Sequence, residues 1–451
     1  MNSTGTLVRR LWSLCNVLRD DGISYQDYLS ELTYLLFLKL ADEQGTEFEL
    51  PEQYRWSNLR VIADHQLATF YQESLQRLAG SESPIIADIF ANAKTNIRSG
   101  HSLSRLIRAI ESLDWYGATE NGMGDVYEGL IEKNAQESRY GAGQYFTPRP
   151  LVEALVRVTD PKPSDDVYDP AAGTAGFLVA AGQHAALLHR RPPQLVGNEL
   201  VPDVRRMALM NLHLHQLKAE IHLGDTFSVA PERAQHSICL TNPPFGVKGG
   251  LSADQTRLLD FPTNNKQLAF LQHIYKSLKV GGRAAVVVPE NVLFEGGAGA
   301  LVRTHLLNHF NLHTILRLPT GIFYATGVKT AVLFFARTTS TASTWVYDLR
   351  SNGETFTKRR QLERAHLQGF VAAYGSDPLG EARRTRSAGF QEFSREEIRA
   401  GEDRLDFEVG QGDVGPIDSP VARLELITKE LEGAVEAARE MRALLTGKTP
   451  L

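Results

Sequence analysis

From about residue 150 onward, short β-branched or apolar runs alternate with longer amphipathic stretches, and this alternation constrains the fold more than any other feature of the 451-residue chain. The runs fall at 166–169, 194–197, 237–240, 283–289, 312–318 and 330–336, and helix-patterned segments at 176–189 and 202–217 separate the first three. Strand, helix, strand at this spacing predicts an α/β fold, with a mostly parallel, doubly wound sheet covered by helices on both faces. Ligands of such a sheet bind outside the carboxyl ends of its strands.

The first part of the chain has a different texture. Leu7, Leu11, Leu14, Val17 and Leu18 recur at helical spacing until Gly22 breaks the pattern. Ser24 then caps a second helix carrying Tyr28, Leu32, Leu35, Leu36 and Leu40. Up to about residue 130 no strand-like alternation appears, which predicts an all-helical domain over 1–130 and a catalytic domain over 131–410. After about 340 the chain turns polar and arginine-rich. Residues 411–451 read as a C-terminal helix, where Leu424, Ile427, Leu431, Val435, Ala438, Met441 and Leu445 form an approximate heptad seam. Such a helix packs on its own chain or serves as an assembly surface.

Bulk composition narrows the classes. With 42% hydrophobic and 22% charged residues, the chain has material for large cores and excludes a disordered or fibrous protein. A formal charge of −5 gives no support to DNA binding by itself, so a nucleic-acid partner requires basic residues gathered on one face or a second subunit. Two cysteines, Cys15 and Cys239, exclude a disulfide framework and a cysteine-rich zinc site, and both read as small buried hydrophobes. No His-Cys or His-Glu cluster points to a metal. No apolar run suits a signal peptide or a membrane span, so a cytoplasmic protein is expected.

Three motifs carry chemistry. At 169–177, Asp169 ends a strand and is followed by small residues including Gly173, Thr174, Ala175 and Gly176. Glycine lets a ligand approach the backbone where any Cβ would collide. The turn lacks the lysine of a phosphate-cradling loop and a full GxGxxG, favouring a ligand without a pyrophosphate. Some thirty residues later Glu199 ends the next run, where a carboxylate can accept both ribose hydroxyls of an adenosine-type cofactor; alone it would be an exposed charge. Asp225, after Gly224, can accept from an adenine amino group, or belong to an ordinary turn. The third motif is Asn242-Pro243-Pro244-Phe245, just past a strand. Two prolines fix the backbone and remove two N–H donors. The Asn242 amide oxygen and the Pro243 carbonyl can then take both hydrogens of a conjugated amino group and turn its lone pair outward, with Phe245 stacking on the base.

In the order Gly143-Gln144-Tyr145-Phe146-Thr147-Pro148-Arg149, then 169–177, then 242–245, the chain resembles the amino-methyltransferases of the gamma arrangement. More narrowly it is similar to the modification subunit of type I restriction-modification enzymes, over nearly the whole chain. Segments such as Phe270-Leu271-Gln272-His273, Gly321-Ile322-Phe323 and Tyr347-Asp348-Leu349-Arg350 share that likeness. The resemblance implies a Rossmann-like core that methylates adenine N6 in duplex DNA with S-adenosyl-L-methionine. It implies that Gln144, Tyr145, Phe146, Thr147, Pro148 and Arg149 line the cofactor pocket, with Thr147 near the methionine moiety. The aromatic order at 145 and 146 is reversed from many relatives. Thr147-Pro148 also reads as a helix start. His273 reads as a packed core histidine rather than a base.

The chain has no long insertion for reading DNA and no P-loop lysine. The resemblance therefore implies a separate specificity subunit that clamps two copies of this chain, and a further restriction or translocase subunit. Amino-methyltransfer to RNA or to a protein glutamine, and a non-catalytic assembly role, are the alternatives.

Overall fold

The computed structural model describes residues 4–14, 18, 23, 25–43, 45–46, 50–113, 115, 123–137, 146–228, 235–245, 250–323, 328–353, 355–357 and 360–409. Cys15, Gln144, Tyr145 and the C-terminal helix expected over 411–451 lie outside them.

The leading part is helical, as its 3.6-residue pattern dictates. Its main helices are α1 (Thr4–Ser13), α2 (Tyr25–Glu43), α3 (Asp64–Leu78), α4 (Pro84–Phe90), α5 (Gly100–Glu111) and α6 (Met123–Glu137). Tyr28, Leu32, Leu35, Leu36 and Leu40 of α2 are all buried, so the periodic positions do form the inward face. The expected domain boundary at 130/131 falls within α6.

The second part alternates as expected: α7 (Arg149–Thr159), β1 (Asp166–Asp169), α8 (Gly176–Leu187), β2 (Gln194–Glu199), α9 (Pro202–Leu214), β3 (Glu220–Leu223), β4 (His236–Thr241), α10 (Lys266–Ser277), β5 (Leu278–Pro289), α11 (Ala298–His309), β6 (Asn311–Leu318), β7 (Thr330–Ala336), β8 (Ser343–Asp348), α12 (Arg364–Tyr374) and β9 (Phe390–Ser394). The sheet order is β3-β2-β1-β4-β5-β7-β6-β8-β9, and β7 and β9 are its antiparallel members. Chain order reverses between β1 and β4, so a crevice opens at the carboxyl ends of these two strands.

Three strands carry no apolar-run signal. Only Ile221 of β3 is buried, because β3 is an edge strand. β8 and β9 lie in the stretch that reads as polar; β9, with Phe390 alone fully buried, closes the other edge.

One apolar core runs from Leu7 through α7, α8, α9 and α12 to Val332 and Phe334, and a second fills the opposite face under α10 and α11. The helical part and the sheet therefore share a core. Arg206 of α9, 4% exposed, secures the junction by donating to the carbonyls of Ile89 (2.7 Å) and Ala91 (2.9 Å) while lying over the Tyr34 ring. No helix among the described residues is long and apolar enough to cross a membrane.

Candidate active site

Both chemistry-bearing turns open at the switch point. On one side, β1 delivers Asp169, 1% exposed, whose Oδ1 accepts the Ala171 N–H at 3.0 Å. Burial pushes its carboxyl up to about 7, and the charge of Glu199 adds to the rise. The chain then turns sharply: Gly173 has φ +55° and Ala175 φ +63°. A left-handed alanine is costly, by about 1 kcal/mol or more, and such residues gather at ligand sites. A Cβ at Gly176, where α8 begins, would meet nothing within 4 Å, so the turn borders open space.

Glu199 closes this half. Its Oε2 accepts the Gly173 N–H at 2.9 Å and its Oε1 the Val201 N–H at 2.8 Å. Burial raises its pKa against the pull of these amides. Ala172 N–H donates to Asn198 O at 2.9 Å, which ties the turn to the end of β2. Each carboxylate oxygen retains capacity for a second donor, as two ribose hydroxyls require. Leu200 and Leu223 stand exposed beside it, at 61% and 51%. These are apolar positions that a reading of acids and glycines misses, although an apolar residue directly after the acid was available as a signal. Asp225 is half-buried and already accepts from Phe227 N–H (3.0 Å) and Gln255 Nε2 (2.7 Å).

On the other side, β4 ends at Thr241 and presents Asn242, whose Nδ2 donates to Thr147 Oγ1 at 2.9 Å. That bond joins two motifs 95 residues apart and directs the amide oxygen, the acceptor end, away from Thr147. Pro243 is buried, and Pro244 and Phe245 are half-buried. Phe245 meets Phe323, from the loop after β6, edge to face at 6.0 Å and 77°. Past them, Glu290 after β5, Arg317 on β6 and Asp348 and Arg350 at the end of β8 form an ion cluster. Arg350 Nη1 reaches Glu290 Oε1 at 2.9 Å and Nη2 reaches Asp348 Oδ2 at 2.6 Å, and Arg317 pairs with Glu290. Phe323, Asp348 and Arg350 fall in segments that share the family likeness, whereas nothing local marks Glu290 or Arg317.

Phe146 and Thr147 are half-buried and precede α7, with Pro148 as the residue before its first turn. The Arg149 guanidinium is engaged by Glu128 at 2.5 Å, Glu153 at 3.2 Å and Gln183. His273 is buried with Nε2 3.0 Å from Tyr168 Oη, and burial pushes it down to about 4, as suits a packed histidine. Buried Cys239 is pushed up to about 12.

A doubly wound sheet with a small-residue turn at β1, an acid at β2 and Asn-Pro-Pro-Phe at the switch point defines a Rossmann-like amino-methyltransferase. Residues 118–409 match the N-6 DNA Methylase family, and residues 7–110 the HsdM N-terminal domain. The StySPI methylase subunit of Salmonella potsdam is 45% identical over 87% of this chain and 80% of its own length. The EcoKI methylase subunit of Escherichia coli (strain K12) is 44% identical over 88% and 80%. Among solved structures, the EcoKI M protein covers 98% of this chain and 96% of its own at 38% identity and TM-score 0.55. A chain from a study of complex assembly and conformational transition of the type I R-M system covers 99% and 100% at 27% identity and TM-score 0.75. The chain belongs to the N-6 DNA methylase family, among the type I restriction enzyme methylase subunits. The methyl donor is S-adenosylmethionine. The turn at Gly173 and Ala175, the open space at Gly176 and the Glu199 carboxylate suit it, since it needs close backbone approach and a ribose acceptor but no pyrophosphate cradle.

Proposed function

We propose that this chain, as the modification subunit of a type I restriction-modification system in the cytoplasm, methylates the N6 amino group of adenine in duplex DNA. The observation that carries the reading is the Asn242–Thr147 bond of 2.9 Å at the switch point, beside the Asp169 turn. Asp169, Gly173, Thr174, Ala175, Gly176 and Glu199 hold the cofactor, with Phe146, Thr147 and Pro148 along its other wall and Asp225 near its adenine.

S-adenosylmethionine supplies an electrophilic methyl on a sulfonium that carries its own leaving group. The protein's task is the nucleophile. Adenine's amino lone pair is delocalised into the ring; Asn242 Oδ1 and the Pro243 carbonyl accept its two hydrogens and favour a pyramidal nitrogen. Phe245 stacks on the base, worth roughly 1–3 kcal/mol, which offsets much of the cost of rotating it out of the duplex. Pro244 keeps the turn rigid.

Sequence reading and grip on DNA belong to a separate specificity subunit that holds two copies of this chain, with a restriction or translocase subunit completing the complex. Residues after 410 serve that assembly. Reconstitution with the specificity subunit, labelled cofactor and duplex DNA tests the proposal: label appears as N6-methyladenine. Label on cytosine, or on RNA or protein in preference to DNA, overturns it.

A further inference from the structure

Beneath the cofactor turn, polar side chains from four helices meet beside the shared apolar core, Asn211 buried and the other three half-buried. Glu128 comes from α6 in the helical part, Arg149 opens α7, Gln183 lies on α8 and Asn211 on α9. Arg149 Nη1 sits 2.5 Å from both Glu128 oxygens, and Arg149 also donates to Gln183. Asn211, 1% exposed, donates through Nδ2 to the Thr174 carbonyl at 3.0 Å and lies 3.4 Å from Glu128 Oε1. Gln183 Nε2 contacts His215 Nδ1 at 3.0 Å. Burial and the nearby Arg149 charge push His215 down to about 4, so it is neutral at pH 7 and Arg149 is the cation set against Glu128 and, on its other side, Glu153.

The positions of the two ends matter. Thr174 lies between the left-handed Gly173 and Ala175, so its carbonyl belongs to the strained turn at the cofactor wall. Arg149 is two residues past Thr147, which holds Asn242. Glu128 therefore bonds to the start of α7 directly and reaches the turn through Asn211. Asp125, Glu128 and His215 also converge within 4.8 Å, but a metal ion there would have to displace the Arg149 guanidinium from Glu128.

We propose that Glu128 of the helical part is a positioning residue for the cofactor site, holding the turn at Thr174 through Asn211 and the start of α7 through Arg149. The inference rests on the reading of that turn as the S-adenosylmethionine pocket. It makes cofactor affinity depend on the docking of α6, because a strained turn keeps its shape only where its surroundings over-determine it. The network is not a rim of surface charge. Asn211 is buried and the other three are half-buried, and losing Glu128 removes the acceptor that Arg149 and Asn211 share.

The test is cofactor binding by calorimetry, with methyl-transfer kinetics, on the full chain assembled with its specificity subunit. Glu128→Gln and Asn211→Leu each weaken S-adenosylmethionine binding by about tenfold or more, as expected for a lost charge-assisted buried bond. KM for the cofactor rises in step, while kcat at saturating cofactor stays within about twofold. Glu153→Gln, which removes a half-buried partner of Arg149 at 3.2 Å, leaves binding unchanged. A lowered melting temperature with unchanged Kd makes the network merely structural and overturns the inference, as does a fall in kcat with unchanged Kd. Should Glu128→Gln not fold, Asn211→Leu, which leaves the ion pair whole, decides alone. Glu199→Gln separates the two levels. If it weakens binding and the network variants do not, the positioning role fails; if it too leaves Kd unchanged, the pocket itself is misassigned.

Discussion

The two halves of the carboxyl edge are built by different means. The half proposed to hold the cofactor, over β1 to β3, is made of main chain: Glu199 is held by the amides of Gly173 and Val201, and Asp169 by that of Ala171. The half proposed to take the target base, from β4 to β8, is made of side chains: Asn242 on Thr147, Phe245 against Phe323, and the Glu290–Arg317–Arg350 cluster. A backbone cradle suits a ligand that is always the same. Side-chain walls suit a base that must enter from a duplex, be gripped by its amino group and leave methylated.

The sharpest way to break this comparison is Asn242→Ala. In the assembled complex it lowers methyl transfer by about 10²- to 10³-fold, the usual effect of losing one preorganised polar group, while cofactor affinity falls far less, because the change at the cofactor wall is the lost partner of the Thr147 hydroxyl. Filter binding of labelled methyl and calorimetry on the same preparation check this; equal losses of both would merge the halves.

The halves also differ in how they titrate. Asp169, pushed up to about 7 from an ordinary 3.8, is favoured neutral in the fold, so its contribution to stability declines as pH rises from 3.8 to 7. His273, on the α10 side of the sheet, and His313, on β6, are pushed down from 6.5 to about 4 and about 3. Their contributions are complete above 6.5 and fade as pH falls below it towards those values. Cofactor-free melting therefore rises from pH 4 to 6.5, where the two histidines outweigh Asp169, slips slightly as Asp169 finishes ionising, and is level above 7. Asp169→Asn can still accept the Ala171 N–H and has no proton to lose. It recovers stability at pH 8, by about 1.4 kcal/mol for every tenfold by which folding tightens the proton on that carboxyl, and leaves stability at pH 4 nearly as it was. A gain equally large at pH 4 would refute the assignment.

The smallest expected effect is at Phe323. Phe323→Leu keeps an apolar side chain, though a smaller one, but removes the edge-to-face contact with Phe245, worth about 1 kcal/mol, and lowers kcat/KM for DNA by roughly threefold to tenfold. Steady-state kinetics over a DNA series would show it; a change in cofactor KM instead would move Phe323 out of the target half.

Much of the candidate site is legible in the sequence. Asp169, Glu199 and Asn242 each stand at a strand end, and an acid, glycine or proline there is a local signal that survives without a structure. β3 and β9 are not legible, because an edge strand buries few residues and shows no apolar run. Arg149 reads as pocket lining with its neighbours, whereas its guanidinium is engaged by Glu128, Glu153 and Gln183. Nothing within a few residues of Glu128 marks it out, and Gly321-Ile322-Phe323 shows a family likeness without showing that Phe323 meets Phe245.

The sequence by itself determined the alternation of elements and the residues at the two turns, because periodicity and turn chemistry act over a few residues. Tertiary structure decided which distant groups complete them: Thr147 for Asn242, Phe323 for Phe245, and Glu128 for the turn at Thr174. These pairings exist only once helices from both parts of the chain are packed into one core, where burial makes each hydrogen bond and ring contact specific.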